Sequence, residues 1–259
     1  MKFVSKTIFG LICFSAASHA GISFYALKDA YDANPSSPKI YRFDGISNFQ
    51  SGTHAVVSTR ASNHGSSSDI AIDEQGRFYF VKGDPSQTTS KEIWRWNSLA
   101  DWGSNSEGTK LGVRSSTAQI SGFSVYQNEF YFFEGDPDRI RNKTLRKWSS
   151  ATSWGNGDAG TLLGSRATGA GLGFEIDAGG AVWFLDSTAK SYTSGKLYRW
   201  NSINNFITNT GGTDNGGSFN FLFEGTFDQI AGLAVPEPSA FSLLAVGLGG
   251  LAMIRRRRS

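Results

Sequence analysis

Apolar residues in this chain come in short, dense bursts separated by polar, glycine-rich stretches. Four of these bursts are built alike. They are "SFYALKD" from Ser23, "RFYFVKGD" from Arg77, "EFYFFEGD" from Glu129 and "AVWFLD" from Ala181. They are too short for helices, rich in aromatic and β-branched residues, and apolar on both faces. Such runs predict strands buried on both sides. Three are preceded by a second strand-like run, "DIAID", "ISGFSVY" and "GLGFEID". Tight turns such as Glu74-Gln75-Gly76 and Ala178-Gly179-Gly180 join two of these pairs. The fourth run of this second kind, "IAGLAV" from Ile230, has nothing after it to pair with, and the burst at Ser23 has nothing before it. The missing partner of each chain end is the other end.

A third pattern recurs after each burst: "KIYRFDGISNF" from Lys39, "EIWRWNSLADWG" from Glu92, "TLRKWSSATSWG" from Thr144 and "KLYRWNSINNF" from Lys196. Its first aromatics are Phe43, Trp96, Trp148 and Trp200; its second are Phe49, Trp102, Trp154 and Phe206. A basic residue precedes each first aromatic: Arg42, Arg95, Lys147 and Arg199. Copies lie about 52 residues apart, a period that signals a propeller or solenoid. Asp44, Asn97, Ser149 and Asn201 follow the first aromatics and suit an N-cap or turn. Weaker outer strands follow at "HAVVS", "TKLGV", "TLLGS" and "FNFLFEG".

The pattern predicts an all-β fold, a four-bladed β-propeller. Three blades are contiguous, over about 69–114, 120–164 and 172–224. The remaining blade joins residues 22–58 to a strand at 229–234. Closing the ring leaves only short, protected strand edges. A two-sheet β-sandwich is the alternative, but it explains neither the spacing nor the matching orphan strands. The repeated aromatics read as wedges between twisted sheets, with sugar platforms as the other use of such rings.

Neither chain end belongs to this fold. Residues 1–20 combine Lys2 and Lys6, an apolar run from Ile8 to Phe14 and small residues up to Ala20. That is the layout of a secretory signal peptide, with cleavage expected after Ala20. The single cysteine, Cys13, falls inside it, so the mature chain is expected to fold without disulfides. Residues 235–259 place Pro236-Glu237-Pro238 before fifteen uncharged residues, Ala240 to Ile254, and then Arg255, Arg256, Arg257 and Arg258. Fifteen helical residues rise roughly 22 Å, a marginal span of a bilayer core about 30 Å thick. The arginines should stay cytoplasmic, with the body outside.

This order of proline–glutamate–proline motif, short apolar helix and arginine cluster resembles the PEP-CTERM sorting signal of Gram-negative bacteria. The resemblance implies a C-terminal transmembrane helix, an inner-membrane-anchored intermediate, processing by an exosortase, and release to the cell surface or beyond. It also implies an association with exopolysaccharide and biofilm. The domains expected are therefore a signal peptide (1–20), a β-propeller (21–234) and a sorting signal (235–259).

Charge and chemistry refine this only slightly. All 22 acidic residues lie between Ala20 and Pro238, whereas six of the 25 basic ones lie in the two end segments. The body is therefore mildly acidic and carries no basic stripe for nucleic acid. His54 and His64 have no cysteine or clustered third ligand, so no metal site is expected. No nucleophile elbow is present. "GAGLG" at Gly169 leads into a strand and not a helix, so no nucleotide cofactor is expected. No catalytic residue stands out.

One positional feature does. Asp29, Asp84, Asp136 and Asp186 close the four bursts, at one rim of the expected ring. Arg60, Arg114 and Arg166 follow outer strands toward the same rim. The aspartates read either as turn caps paired with basic residues or as a carboxylate-rich mouth for a sugar or cation. Val235 follows the last strand with almost no linker, which turns that rim away from the membrane. The functional expectation is a non-catalytic extracellular binding or matrix protein. A secreted polysaccharide-acting enzyme and a purely structural surface protein are the alternatives.

Overall fold

The structure is a computed structural model, and it describes residues 23–29, 38–61, 67–84, 86–136, 141–168, 170–187, 196–215 and 229–234. The expected signal peptide, the sorting-signal helix with its arginines, His64 and the outer strand "FNFLFEG" lie outside the described residues. Among the described residues no helix is long and apolar enough to cross a membrane.

The first blade holds β1 (Ser23–Asp29), β2 (Lys39–Asp44) and β3 (Ala55–Thr59), with α1 (Ile46–Ser51) between β2 and β3. The second holds β4 (Ser67–Ile72), β5 (Phe78–Lys82), β6 (Lys91–Trp96), α2 (Leu99–Gly103) and β7 (Thr109–Arg114). The third runs β8 (Ile120–Tyr126), β9 (Glu129–Glu134), β10 (Arg141–Trp148), α3 (Ala151–Gly155) and β11 (Thr161–Thr168). The fourth runs β12 (Ala170–Ile176), β13 (Val182–Ser187), β14 (Lys196–Trp200), α4 (Ile203–Thr208) and β15 (Thr213–Asp214). Finally β16 (Gln229–Ala234) pairs antiparallel with β1, opposing Ala234 to Tyr25 and Gln229 to Asp29. The result is four four-stranded antiparallel sheets, one of them ordered β16-β1-β2-β3. The expected four-bladed propeller and its three-plus-one closure are what the chain adopts; a two-sheet sandwich is not. The inner strands meet in turn, β16 with β4, β4 with β8, β8 with β12 and β12 with β16, and complete the ring.

The core is not a single mass but four seams. The second strand of each blade alternates its side chains between the two seams that flank it, as a pleated strand must. Phe78 and Phe80 of β5 join Leu27 and Ile40 of the first blade, while Tyr79 and Val81 join Phe123, Phe130 and Phe132 of the third. Phe133 of β9 packs with Phe174 and Phe184 of the fourth. Trp183 and Leu185 of β13 close the circle against Phe24 and Phe43 of the first.

The repeated aromatics are the wedges of these seams. Trp96 and Trp102, Trp148 and Trp154, Trp200 and Phe206, and Phe43 and Phe49 are all buried, each pair facing the preceding blade. The second aromatic is brought back by one short helix. In α2, α3 and α4 the helix is capped by Ser98, Ser150 and Ser202, whose hydroxyls accept from Asp101, Ser153 and Asn205 N–H at 3.0–3.1 Å. Gly45 takes that place in α1. The cap thus falls one residue beyond the expected Asp44, Asn97, Ser149 and Asn201, which lie at the end of the strand or in the bend after it. The helices α2, α3 and α4 each lie on the outer strand of the previous blade. At Gly112 of β7 a Cβ would run into the Ala151 carbonyl of α3, so the contact needs glycine. In the fourth blade the described residues place Thr213–Asp214 against β14.

At the ring axis the inner strands carry polar groups. Asp69 accepts from Phe123 N–H at 2.6 Å, and the Ser124 hydroxyl accepts from Ile176 N–H at 3.0 Å. Asp73 and Asp177 close the two glycine turns; Asp177 accepts from Ala181 N–H and the Trp183 indole, both at 2.8 Å. Glu175 is 1% exposed, and among the described residues its Oε2 has no hydrogen-bond partner. Burial pushes its carboxyl well above the ordinary value, helped by the charges of Asp69, Asp177 and Asp73 and opposed by a hydrogen bond from Ser124.

Trp154 is 1% exposed and stacks on Phe132 at 5.2 Å. Trp154→Ala should cost about 3–5 kcal/mol, measured by chemical denaturation of the mature body. For Glu175 the folded state holds its proton more tightly than the unfolded chain. Its contribution is therefore fully present below the unfolded value and is lost as pH rises through the raised folded one. Glu175→Gln should melt above wild type at pH 8, and the gap should close by pH 4, as read by thermal unfolding at the two pH values.

Candidate functional site

The second strands of the four blades, β1, β5, β9 and β13, do not end alike. Residues Lys28, Lys82, Glu134 and Asp186 share one register, since they oppose Lys39, Glu92, Thr144 and Lys196 at the same position of the next strand. Asp29 lies one residue past that register, and Asp84 and Asp136 lie two past it. The four aspartates therefore share an end of the ring but not an equivalent position. Only the backbone of Asp29 is described.

Asp84 organises its own loop. Its Oδ1 accepts from the Ser86 N–H at 2.9 Å and the Ser86 hydroxyl at 2.6 Å, the local pattern of a turn-forming aspartate. Beside it, Lys91 at the start of β6 is fully buried. Its ammonium donates to the Gln87 carbonyl at 2.6 Å and the Thr117 hydroxyl at 2.8 Å. Burial pulls it down to about 8, with the Asp84 charge opposing. The third blade repeats the device: Lys143 is fully buried and donates to Thr168 at 3.0 Å. The repeat Lys/Glu-Gly-Asp-Pro before each lysine has a reason. Gly83 and Gly135 adopt φ of 133° and 148°, and a Cβ on either would collide with the lysine side chain. Sequence reasoning misses these lysines; the signal that could find them is the shared glycine–aspartate–proline loop preceding a lysine.

Arg60, Arg114 and Arg166 do not spread over the rim as expected. Each crosses a seam and lies over the first tryptophan of the following blade: Arg60 over Trp96 at 5.5 Å, Arg114 over Trp148 at 5.7 Å, Arg166 over Trp200 at 4.1 Å. Their forks also donate to backbone carbonyls of that blade: Arg60 and Arg166 to those of the second wedge aromatics, Trp102 at 2.8 Å and Phe206 at 2.9 Å, and Arg114 to that of Asp158 at 3.3 Å. The repeat is a cation–π staple between blades.

The seam between the third and fourth blades also contains a cleft of about 490 Å³. Arg166, Thr168, Asp186, Tyr198, Trp200 and Asn209 line it, with Gly211 and Gly212. Burial pulls the Arg166 guanidinium down, while the charge of Asp186 holds it up. Of the four aspartates, Asp186 is the one the structure sets in this cleft. Trp200 belongs to the wedge repeat, whose rings the sequence reads as packing or as sugar platforms; Tyr198, two residues before it, is not singled out there. Among the described residues no three His, Cys, Asp or Glu side chains form a metal-binding group.

Residues 234–258 match the PEP-CTERM protein-sorting motif. A comparison of the whole sequence with characterised proteins finds no match. Two solved structures resemble parts of the chain. One is XC5397 from Xanthomonas campestris, described as a gluconolactonase, at 15% identity and TM-score 0.29 over 62% of this chain. The other is SapL1 lectin in complex with alpha methyl fucoside, at 14% identity and TM-score 0.31 over 82% of this chain. The chain spans only 54% and 64% of those two proteins. Likenesses this distant carry no argument about chemistry.

The buried Lys91 gives a direct check. Between about pH 8 and the ordinary lysine value near 10.4, the folded state has released a proton that the unfolded chain still holds. Stability should rise with pH across that window. Relative to Lys91→Met, wild type should therefore gain stability between pH 7.5 and pH 10, followed by urea denaturation at each pH.

Proposed function

With a PEP-CTERM sorting motif at residues 234–258, we propose that this chain is an exported, exosortase-processed protein whose ring binds exopolysaccharide at the cell surface without catalysing a reaction. The motif supports export and exosortase processing directly. The finer reading draws on where the motif leaves the ring.

The observation that carries it is the path of β16. Its last residue, Ala234, opposes Tyr25, and its first, Gln229, opposes Asp29. The chain thus enters the sorting motif at the end of the sheet away from Asp29, and four residues of strand separate the two ends by roughly 13 Å. With the motif inserted at the membrane, one face of the ring is held against it. The opposite face, with Asp84, Asp136 and Asp186 among its residues, looks outward. A rigid ring tethered at one face suits a binding or matrix role, in which carboxylates, hydroxyls and amides of exposed loops meet a polymer in the surrounding layer. Before processing the same geometry holds the protein at the inner membrane; afterwards it is expected at the surface or released.

Pull-down with the mature body, residues 21–234, tests this reading. The body should retain exopolysaccharide purified from the producing strain and leave its reducing-end content unchanged. No retention, or steady release of reducing ends, would contradict it.

A further inference from the structure

We propose that the cleft between the third and fourth blades binds one neutral pyranose unit of a glycan. This rests on the polysaccharide-binding reading and narrows it to one site and one sugar chemistry.

The register gives the first argument. In the second blade the positions of Asp186 and Tyr198 are held by Lys82 and Trp94; in the third they are held by Glu134 and Arg146. The second and third blades use these positions differently from the fourth. Trp94 stacks on Trp96, donates its indole N–H to Glu92 at 2.8 Å and lies under Lys110 at 5.1 Å. Arg146 pairs with Glu134 at 3.4 Å. In the fourth blade a shorter carboxylate stands near an uncharged ring, and the seam opens into a cleft of about 490 Å³. That volume lies within the range of small-ligand pockets, about 300–1,000 Å³.

The lining gives the second. Arg166 and Asp186 are of opposite charge and close enough to influence each other, so the site is nearly neutral overall. An anion would be repelled by Asp186 and a cation by Arg166. A hydroxyl, which both donates and accepts, suits the pair: one sugar hydroxyl gives its proton to the carboxylate while another accepts from the guanidinium fork. One arm of that fork is committed to the Phe206 carbonyl, which fixes its plane. Tyr198, half-buried and backed by the buried Trp200 with ring centroids 5.7 Å apart, supplies an apolar wall for the C–H face of a pyranose. Gly211 and Gly212 complete the lining, Gly212 lying directly against the Trp200 indole.

The test uses the mature body and tryptophan fluorescence, since Trp200 reports on the cleft. Methyl glycosides of glucose, galactose, mannose and fucose are titrated, with glucuronate as the anionic arm. At least one neutral glycoside should bind saturably, with Kd raised tenfold or more by Asp186→Asn and by Tyr198→Ala, and unchanged by Lys110→Gln in another seam. Asp186→Asn keeps the side-chain shape and guards against loss of fold, which circular dichroism checks for both variants. The proposal is overturned if no neutral glycoside saturates, if glucuronate alone binds, or if both cleft variants bind as wild type. Retained capture of exopolysaccharide by the cleft variants would overturn the site while leaving the broader binding reading intact.

Discussion

Everything in this molecule depends on the fact that its central strands are apolar on both faces. A strand such as β5, with Phe78 and Phe80 on one side and Tyr79 and Val81 on the other, cannot end a stack of sheets. Each blade therefore needs a neighbour on either side, and the only arrangement in which no blade lacks one is a closed circle. The closing element is β16, six residues long, which supplies the first blade with its inner strand. It also explains how a chain whose one cysteine is Cys13 can secure its termini.

Within that frame the seams differ in a way that matters for function. The wedge of two aromatics and the arginine lying over the first of them recur in three consecutive seams, and these parts hold the ring. What varies is the pair of positions beside the wedge. Tryptophan under a lysine, an arginine–glutamate pair, and a tyrosine near an aspartate are three solutions to the same register. The third leaves space, and the proposed binding chemistry is concentrated there. Symmetry builds the scaffold, and its local failure provides the site.

Much of this is legible in the sequence. The period of the wedge aromatics, the double-faced strands and the orphan strands at each end carry the topology, because burial of large rings leaves a strong and periodic mark. The site is less legible. Asp29, Asp84, Asp136 and Asp186 share a chemical identity and a strand end, but the inserted glycines at Gly83 and Gly135 shift two of them past the register of Asp186, and only cross-strand pairing reveals this. Ser98, Ser150 and Ser202 each stand beside another residue able to cap, so sequence does not choose between neighbours. Arg60, Arg114 and Arg166 are visible as a repeat, but the direction of a long side chain across a seam is set by the adjacent blade, which local sequence does not encode. Glu175 sits in an otherwise apolar strand, and nothing in "GFEID" says that among the described residues its Oε2 lacks a hydrogen-bond partner at the ring axis.

Ring closure itself is best measured by cross-linking. Tyr25 and Ala234 face each other across the β1–β16 pair, at a spacing that antiparallel neighbours make suitable for a disulfide. In a mature body carrying Tyr25→Cys and Ala234→Cys, mild oxidation of the native protein should give one intramolecular bond, seen as faster migration on a non-reducing gel. The body has no other cysteine to confuse the result. Efficient cross-linking in the folded state is the predicted outcome; a native, folded body that forms no such bond would contradict the closed ring.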